Sequence, residues 1–389
     1  MFSSRLRWHE PSNPLANLVA KKRQQGATIL DLTESNPTRA GFDYPEAQIL
    51  STLSDDRALL YQPSPRGRLD AREAVAEYYA QRGVKVDPSH ILLTASTSEA
   101  YSYLFQLLAD PGDEILSPRP SYPLFEYLAG LSSVNIRQYP LRYDGGWHID
   151  VEALERIITP RSRAIVVVNP NNPTGSFLKR VELETLETIA ERYKLAIISD
   201  EVFCDYAFHK DPQQVLTLAG ERRALTFSMS GLSKVAGLPQ MKLGWIVASG
   251  PDADRAMEGL ELIADTFLSV ATPVQVALPK LLESSATLRD QIRHRTQANL
   301  KHLSATFANT SATVLNVEGG WYAILQVPNT RSEQDWALSL LNEHDVLVQP
   351  GFYFDFDFEA FFVLSLLTKQ EVLTEGVRTI YRSLHEFGT

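Results

Sequence analysis

Lys234 lies in a run of mostly small residues, SGLSKVAGLPQMKLGW at 230–245, between β-like runs at 225–229 and 244–248. An amine that is to form an imine must be partly desolvated to be neutral and nucleophilic, and small neighbours leave room for a ring-shaped cofactor. Lys242, eight residues on, is placed to act as a point charge for a phosphate. The stretch TASTSEA at 94–100 joins an expected strand to an expected helix. Its hydroxyls cap the helix, and the free N–H groups there, with Thr97 and Ser98, make an anion site. The apolar run VVV at 166–168 ends in NPNNPTG, a tight hydrogen-bonded loop around Asn172. AIISDE at 196–201 ends another apolar run in Asp200 and Glu201. A carboxylate at the end of a buried strand needs a cationic partner to offset its desolvation, and a pyridinium nitrogen is such a partner. Tyr122, in Ser121-Tyr122-Pro123, stands at a strand-to-helix corner, where it can stack on a planar ring or pack as core.

The elements that must position these groups alternate along the chain. Strands are expected at 91–95, 114–117, 134–141, 164–169, 196–200, 225–229 and 244–248, and helices at 97–109, 122–131, 151–157 and 179–194. That pattern predicts an α/β fold with a mostly parallel seven-stranded sheet covered on both faces. Ligands of such sheets bind outside the carboxyl ends of the strands, where the unusual residues cluster. Past Asp252 comes a long helical region to 307, broken near Pro273. Short strands at 313–317, 323–327, 346–349 and 362–366, with helices at 333–343 and 371–384, then predict a smaller α+β C-terminal domain. Residues 1–44 read as an arm belonging with that small domain, 45–275 as the large domain and 276–389 as the small one. The arm holds a short helix, a strand at 28–33 and the turn ESNPTR at 34–39. The run FYFDFDFEAFF at 352–362 is the one odd composition.

Composition narrows the function. A chain of 389 residues with 44% hydrophobic and 22% charged residues is an ordinary globular protein of two domains. The net charge of −10, with scattered basic residues, argues against nucleic acid. No apolar run is long enough to span a bilayer, and no signal peptide is expected at the N-terminus. The lone cysteine, Cys204, excludes an intrachain disulfide, and the eight histidines show no HExxH spacing, so no metal is expected. The cytoplasm is the expected compartment.

These motifs, in this order over nearly the whole length, resemble the class I/II aminotransferases, a family of pyridoxal-phosphate (PLP) enzymes of fold type I. The matching segments are Tyr61 to Gly67, 94–100, ProSerTyrPro at 120–123, AsnAsnProThrGly at 171–175, Asp200-Glu201, Ser233-Lys234 and the glycines of 319–320 and 350–351. The resemblance implies that Lys234 carries the cofactor as an imine and moves the substrate's Cα proton. It implies that Asp200 keeps the pyridine nitrogen protonated, that Asn172 binds the ring's phenolic oxygen and that Tyr122 stacks on the ring. Thr97, Ser98, Ser233 and Lys242 would hold the phosphate. Tyr61 would reach the cofactor of a neighbouring subunit, since relatives are homodimers with shared sites. The implied reaction moves an amino group between an amino acid and a 2-oxo acid. A lyase or decarboxylase on the same scaffold, or a non-catalytic PLP-binding protein, is the alternative. A plain NAD-binding protein is disfavoured by the lack of a GxGxxG motif.

Three positions depart from the family pattern. Phe203 stands where relatives carry tyrosine three residues after the aspartate. Lys242 replaces an arginine. Val363, in ValLeuSerLeu, replaces the arginine that clamps the substrate's α-carboxylate. The expected substitutes are Arg39 in the turn at 34–39 and Arg66 in the loop 61–67, with Ser35 and Asn36 beside the substrate; the alternative is a substrate that does not present its carboxylate in the usual way.

Overall fold

The computed structural model describes residues 3–6, 13–358 and 360–386. After the short β1 (Leu30–Asp31) come the strands of the main sheet. They are β2 (Ile91–Thr94), β3 (Glu114–Arg119), β4 (Asn135–Tyr143), β5 (Trp147–Ile149), β6 (Ser162–Val168), β7 (Ala196–Asp200), β8 (Thr226–Gly231) and β9 (Gly244–Ser249). Runs such as ILLT and TFSMSG are buried at every position, because helices cover both faces and no side of these strands meets water. The order is β2-β9-β8-β7-β6-β3-β4-β5. β3, β4, β6, β7 and β8 pair in parallel, whereas β9 runs antiparallel to both β2 and β8.

The sheet is therefore mixed and has eight strands rather than seven. The additional β5 is only TrpHisIle and turns back on β4 through Asp144-Gly145-Gly146. It is too short to leave a periodic signal, and the edge position spares it the need for one. β2, β3, β6, β7 and β8 all end on the same edge, so the motifs that follow them converge there.

The second sheet has the order β10 (Thr313–Val314), β11 (Tyr322–Gln326), β14 (Phe361–Ser365), β13 (Gln349–Pro350), antiparallel throughout. Separately, β1 pairs in parallel with β12 (Val346–Leu347), which places the N-terminal arm against this half of the molecule. The break in the long helical region falls at 268–271, after helix Ala253–Phe267. Pro273 itself lies in the first turn of the next helix, Thr272–Phe307, where a missing N–H costs nothing. That helix runs straight through the expected boundary at 275/276. Its start (Val274, Leu278, Leu281) packs in the large-sheet core, and its end (Leu303, Phe307) in the core of the small sheet. Among the described residues no helix is long and apolar enough to cross a membrane.

Candidate active site

Lys234 sits on a one-turn helix, Leu232–Val235, directly after β8. The approach of the strands explains the small residues around it. Gly231 of β8 lies opposite Gly244 of β9, and Thr94 of β2 is the next neighbour of Gly244. A Cβ on Gly231 would come within 2.9 Å of the Gly244 Cα, and one on Gly244 within 3.2 Å of the Ser96 carbonyl carbon. The glycine pair thus brings the Lys234 turn against the start of helix Thr97–Leu108. Ser96 caps that helix by accepting from the Glu99 amide, and the Glu99 carboxylate accepts from the Ala95 amide. This reciprocal cap leaves the first-turn amides at Thr97 and Ser98 facing outward, the arrangement that binds an anion. Ser233 is half-buried beside this start, and Lys242 lies exposed in a left-handed turn just before β9.

The Asp200 carboxylate, at the end of β7, accepts from the Tyr101 hydroxyl at 3.1 Å and the Val202 amide at 3.2 Å. Burial pushes it up to about 6 against the pull of these donors and of Lys234. Glu201, one residue on, points to the opposite side. Its carboxylate is fully buried and accepts from Thr217 and the Leu218 amide, so it braces a loop rather than the site. Burial also pulls the Lys234 amine down to about 8, opposed by Asp200. Among the described residues the amine makes no hydrogen bond, and two aromatic rings stand beside it. It stands 4.8 Å from the centroid of Trp321 and 5.7 Å from that of Phe203. Trp321 left no sequence signal beyond its place after Gly319-Gly320.

That glycine pair is how the small domain reaches the lysine. The Glu318 and Gly319 amides donate to the Gly175 carbonyl, and the Gly320 amide donates to the Tyr206 carbonyl. A Cβ on Gly319 would strike the Tyr206 carbonyl oxygen at 2.7 Å. The Glu318 carboxylate then accepts from the Phe177 amide and the Lys179 ammonium, both on the large domain. On the same edge, Asn171 shapes the NPNNPTG loop by accepting from the Thr174 and Gly175 amides. The neighbouring Asn172 Oδ1 is buried with no partner.

Tyr322, Ser35 and Tyr122 line the remaining side. Burial pushes the hydroxyl of the half-buried Tyr322 up to about 12, while the Tyr122 ring is 47% exposed and available for stacking. Asn36 is spent on its own turn, accepting from the Thr38 amide and hydroxyl. Tyr61 is 71% exposed and has no place in the cluster within its own chain. Tyr206 does not supply the hydroxyl missing at Phe203, because it donates to the Lys234 carbonyl at 2.5 Å.

The two expected substitute arginines differ. Arg39 is exposed, with a guanidinium free of partners among the described residues. Arg66 does not face the site. Its guanidinium is held by the Glu261 carboxylate at 2.6 Å and the Ser89 carbonyl at 3.0 Å, on the outer helical layer, and it is withdrawn as a substrate residue. Its loop carries family-like residues, but the acid that claims it is 195 positions away in the chain.

Residues 27–380 match the family model described as aminotransferase class I and II. The chain belongs to this family. Among its relatives, the glutamate-pyruvate aminotransferase AlaA of Escherichia coli K12 is 31% identical over 274 residues, covering 69% of this chain and 67% of the relative. AlaA of Haemophilus influenzae is 26% identical and covers 96% of this chain and 95% of its own length. An Escherichia coli aminotransferase structure superposes with a TM-score of 0.86 at 25% identity, covering 99% and 98% of the two chains. The aminotransferase is PLP-dependent and works on amino and 2-oxo acids. The residues present fit that cofactor. An unbonded amine, a buried carboxylate, an orphaned buried Asn172 oxygen and a glycine-lined anion cradle stand on one sheet edge.

One variant probes the aminotransferase's departure at Phe203. Phe203→Tyr adds a hydroxyl to a ring whose centroid is 5.7 Å from the Lys234 amine, so it would lie near a cofactor ring held by that amine. Donation to the ring's phenolate oxygen favours the unprotonated form of the linkage, so the pH midpoint of the bound cofactor's visible absorbance should fall by about one unit. A spectrophotometric titration checks this, and an unmoved midpoint refutes it.

Proposed function

We propose that this aminotransferase works through Lys234 and Asp200, with Thr97, Ser98, Ser233 and Lys242 on the phosphate, Asn172 on the ring oxygen and Tyr122 on the ring face. The single observation that carries the reading is the Lys234 amine. It is unbonded, pulled down to about 8 by burial, and placed on the sheet edge where the Asp200 carboxylate also ends. Such an amine is partly neutral near pH 7 and can take a proton from a substrate Cα and return it elsewhere. When bound, PLP supplies an electron sink for the carbanion that this proton transfer creates. Asp200 holds a proton at the ring nitrogen. Trp321 and Phe203 keep water from the amine.

Tyr61 is assigned to the partner subunit's site in a homodimer. Support comes from exposed apolar side chains beside it, with Leu59 at 88% and Leu60 at 58% next to it in the chain and Leu268 at 38% lining the same cleft. The reducing cytoplasm suits the one buried free cysteine. The names of the AlaA relatives put glutamate, alanine and their 2-oxo acids first among substrates to try. The test is a panel of amino acids added to the PLP-loaded protein, following loss of the aldehyde-form absorbance and formation of the matching 2-oxo acid. Stoichiometric CO2 without the matching 2-oxo acid would replace transamination with decarboxylation, and ammonia released while the cofactor keeps its aldehyde-form absorbance would replace it with elimination.

A further inference from the structure

Val363 is fully buried in an apolar cluster with Ile324, Leu315, Phe354 and Phe361, so the usual place of the carboxylate clamp is closed to any charged group. The neighbours of that cluster lead to another arginine. The Phe354 carbonyl accepts from the Ser121 amide at 3.0 Å, and two residues before Ser121 stands Arg119, the last residue of β3. Arg119 therefore lies three residues from the stacking Tyr122, on the strand next to the one that ends in the Asn172 loop. Its guanidinium uses one arm of its fork, an ion pair of 2.8 Å from Nη2 to Asp357 Oδ1. The Nε is buried and has no acceptor.

Asp357 belongs to the aromatic run, which is fixed to its own domain at both ends. The Glu333 carboxylate accepts from the Phe352 and Phe361 amides at 2.7 and 2.8 Å. Between those ends the run reaches across to the large domain. Gln138 donates to Asp355, Phe356 meets Trp147 edge-on at 6.1 Å, and Asp357 stands between Arg119 and Arg142, the latter at 4.0 Å and already paired with Asp150. Chemically, Asp357 Oδ1 is a carboxylate oxygen on an arginine that borders the reaction site and still has a donor to spare. A bidentate guanidinium–carboxylate pair is stronger and more directional than the single contact present.

We infer that Arg119 takes a carboxylate group of the substrate, and that Asp357 occupies its guanidinium until the substrate arrives. The inference rests on the aminotransferase reading and names carboxylate-bearing substrates as its class. Arg39 is the competing candidate, but it is exposed and no residue aims its guanidinium at the site.

The test measures binding, so it stands apart from turnover. Glutarate, which carries carboxylates but no amine and cannot react, is titrated into the PLP-loaded protein by calorimetry, with the neutral glutaramide as control. Arg119→Gln should weaken glutarate at least tenfold while the cofactor's absorbance is retained, and Arg119→Lys should recover part of the loss. Asp357→Asn should tighten glutarate three- to tenfold, because the resident competitor is gone, and should leave glutaramide unchanged. Arg39→Ala should change neither. Unchanged or weaker glutarate binding in Asp357→Asn would make the ion pair a strut and overturn the inference. A loss confined to Arg39→Ala would overturn it in favour of the exposed arginine.

Discussion

Lys234→Ala should lose at least about 10⁴-fold in turnover while keeping the fold, since in the proposed roles it removes both the amine that would carry the cofactor and the base that would move the Cα proton. Borohydride treatment of the PLP-loaded wild-type protein should fix the cofactor to the peptide holding Lys234, and a label on Lys242 or Lys179 would overturn the assignment. The pH behaviour follows from the sign of the shift. The amine titrates near 8 in the folded chain and near 10.5 when unfolded, so between these values the unfolded state holds more protons and stability rises with pH. Lys234 by itself should therefore add to the melting temperature of the wild-type apoprotein between pH 8 and 10.5, a contribution read as the difference from Lys234→Ala because other groups, such as the Cys204 thiol that burial pushes up, act in the opposite direction. Lys234→Ala should show a smaller gain over the same window, and identical slopes in the two proteins would mean that the amine is not desolvated.

Asp200→Asn should cost about 10³-fold or more in Cα deprotonation, because an amide cannot hold a proton on the ring nitrogen by charge. A second readout comes from cofactor affinity. The carboxylate titrates near 6 in the folded chain, above its ordinary value of 3.8, and only its ionised form pairs with a pyridinium. The gain in melting temperature on adding PLP should shrink as pH falls through 6 in the wild type. In Asp200→Asn that component of the pH dependence should disappear. A variant with near-wild-type rates and an unchanged pH profile would mean that another group faces the ring nitrogen.

Much of this arrangement was legible because strand ends advertise themselves. Val168 and Asp200 close runs that are apolar at most positions, Gly231 closes one that is buried throughout, and a parallel sheet must place all their successors on one edge. What escaped were features created only by folding. β5 is three residues long and needs Gly145-Gly146 more than any pattern of its own. Trp321 joins Lys234 only because Gly319 can lie against the Tyr206 carbonyl, a contact across more than a hundred positions. Arg66 looked like a site arginine because its loop carries family-like residues, yet Glu261 claims it. Arg119, one residue before a recognised motif, was passed over because the motif begins at Pro120. Its significance depends on Asp357, which composition shows only as an acid among phenylalanines.

The crossing at Gly319-Gly320 has a mechanical consequence. It ties the small domain to the Gly175 and Tyr206 carbonyls by main-chain bonds, and Glu318 adds a carboxylate brace to Lys179. A Cβ on Gly175 would meet the Gly319 carbonyl oxygen at 2.5 Å and one on Gly319 the Tyr206 carbonyl oxygen at 2.7 Å, so the two domains are pinned backbone to backbone here. Trp321, one residue away, stands 4.8 Å from the lysine amine, whereas the aromatic run bearing Asp357 lies farther along the chain from this joint. Any swing of the entrance has to break the contacts of the aromatic run with Ser121, Gln138, Trp147 and Arg119, whereas the lysine lies beside the pinned joint.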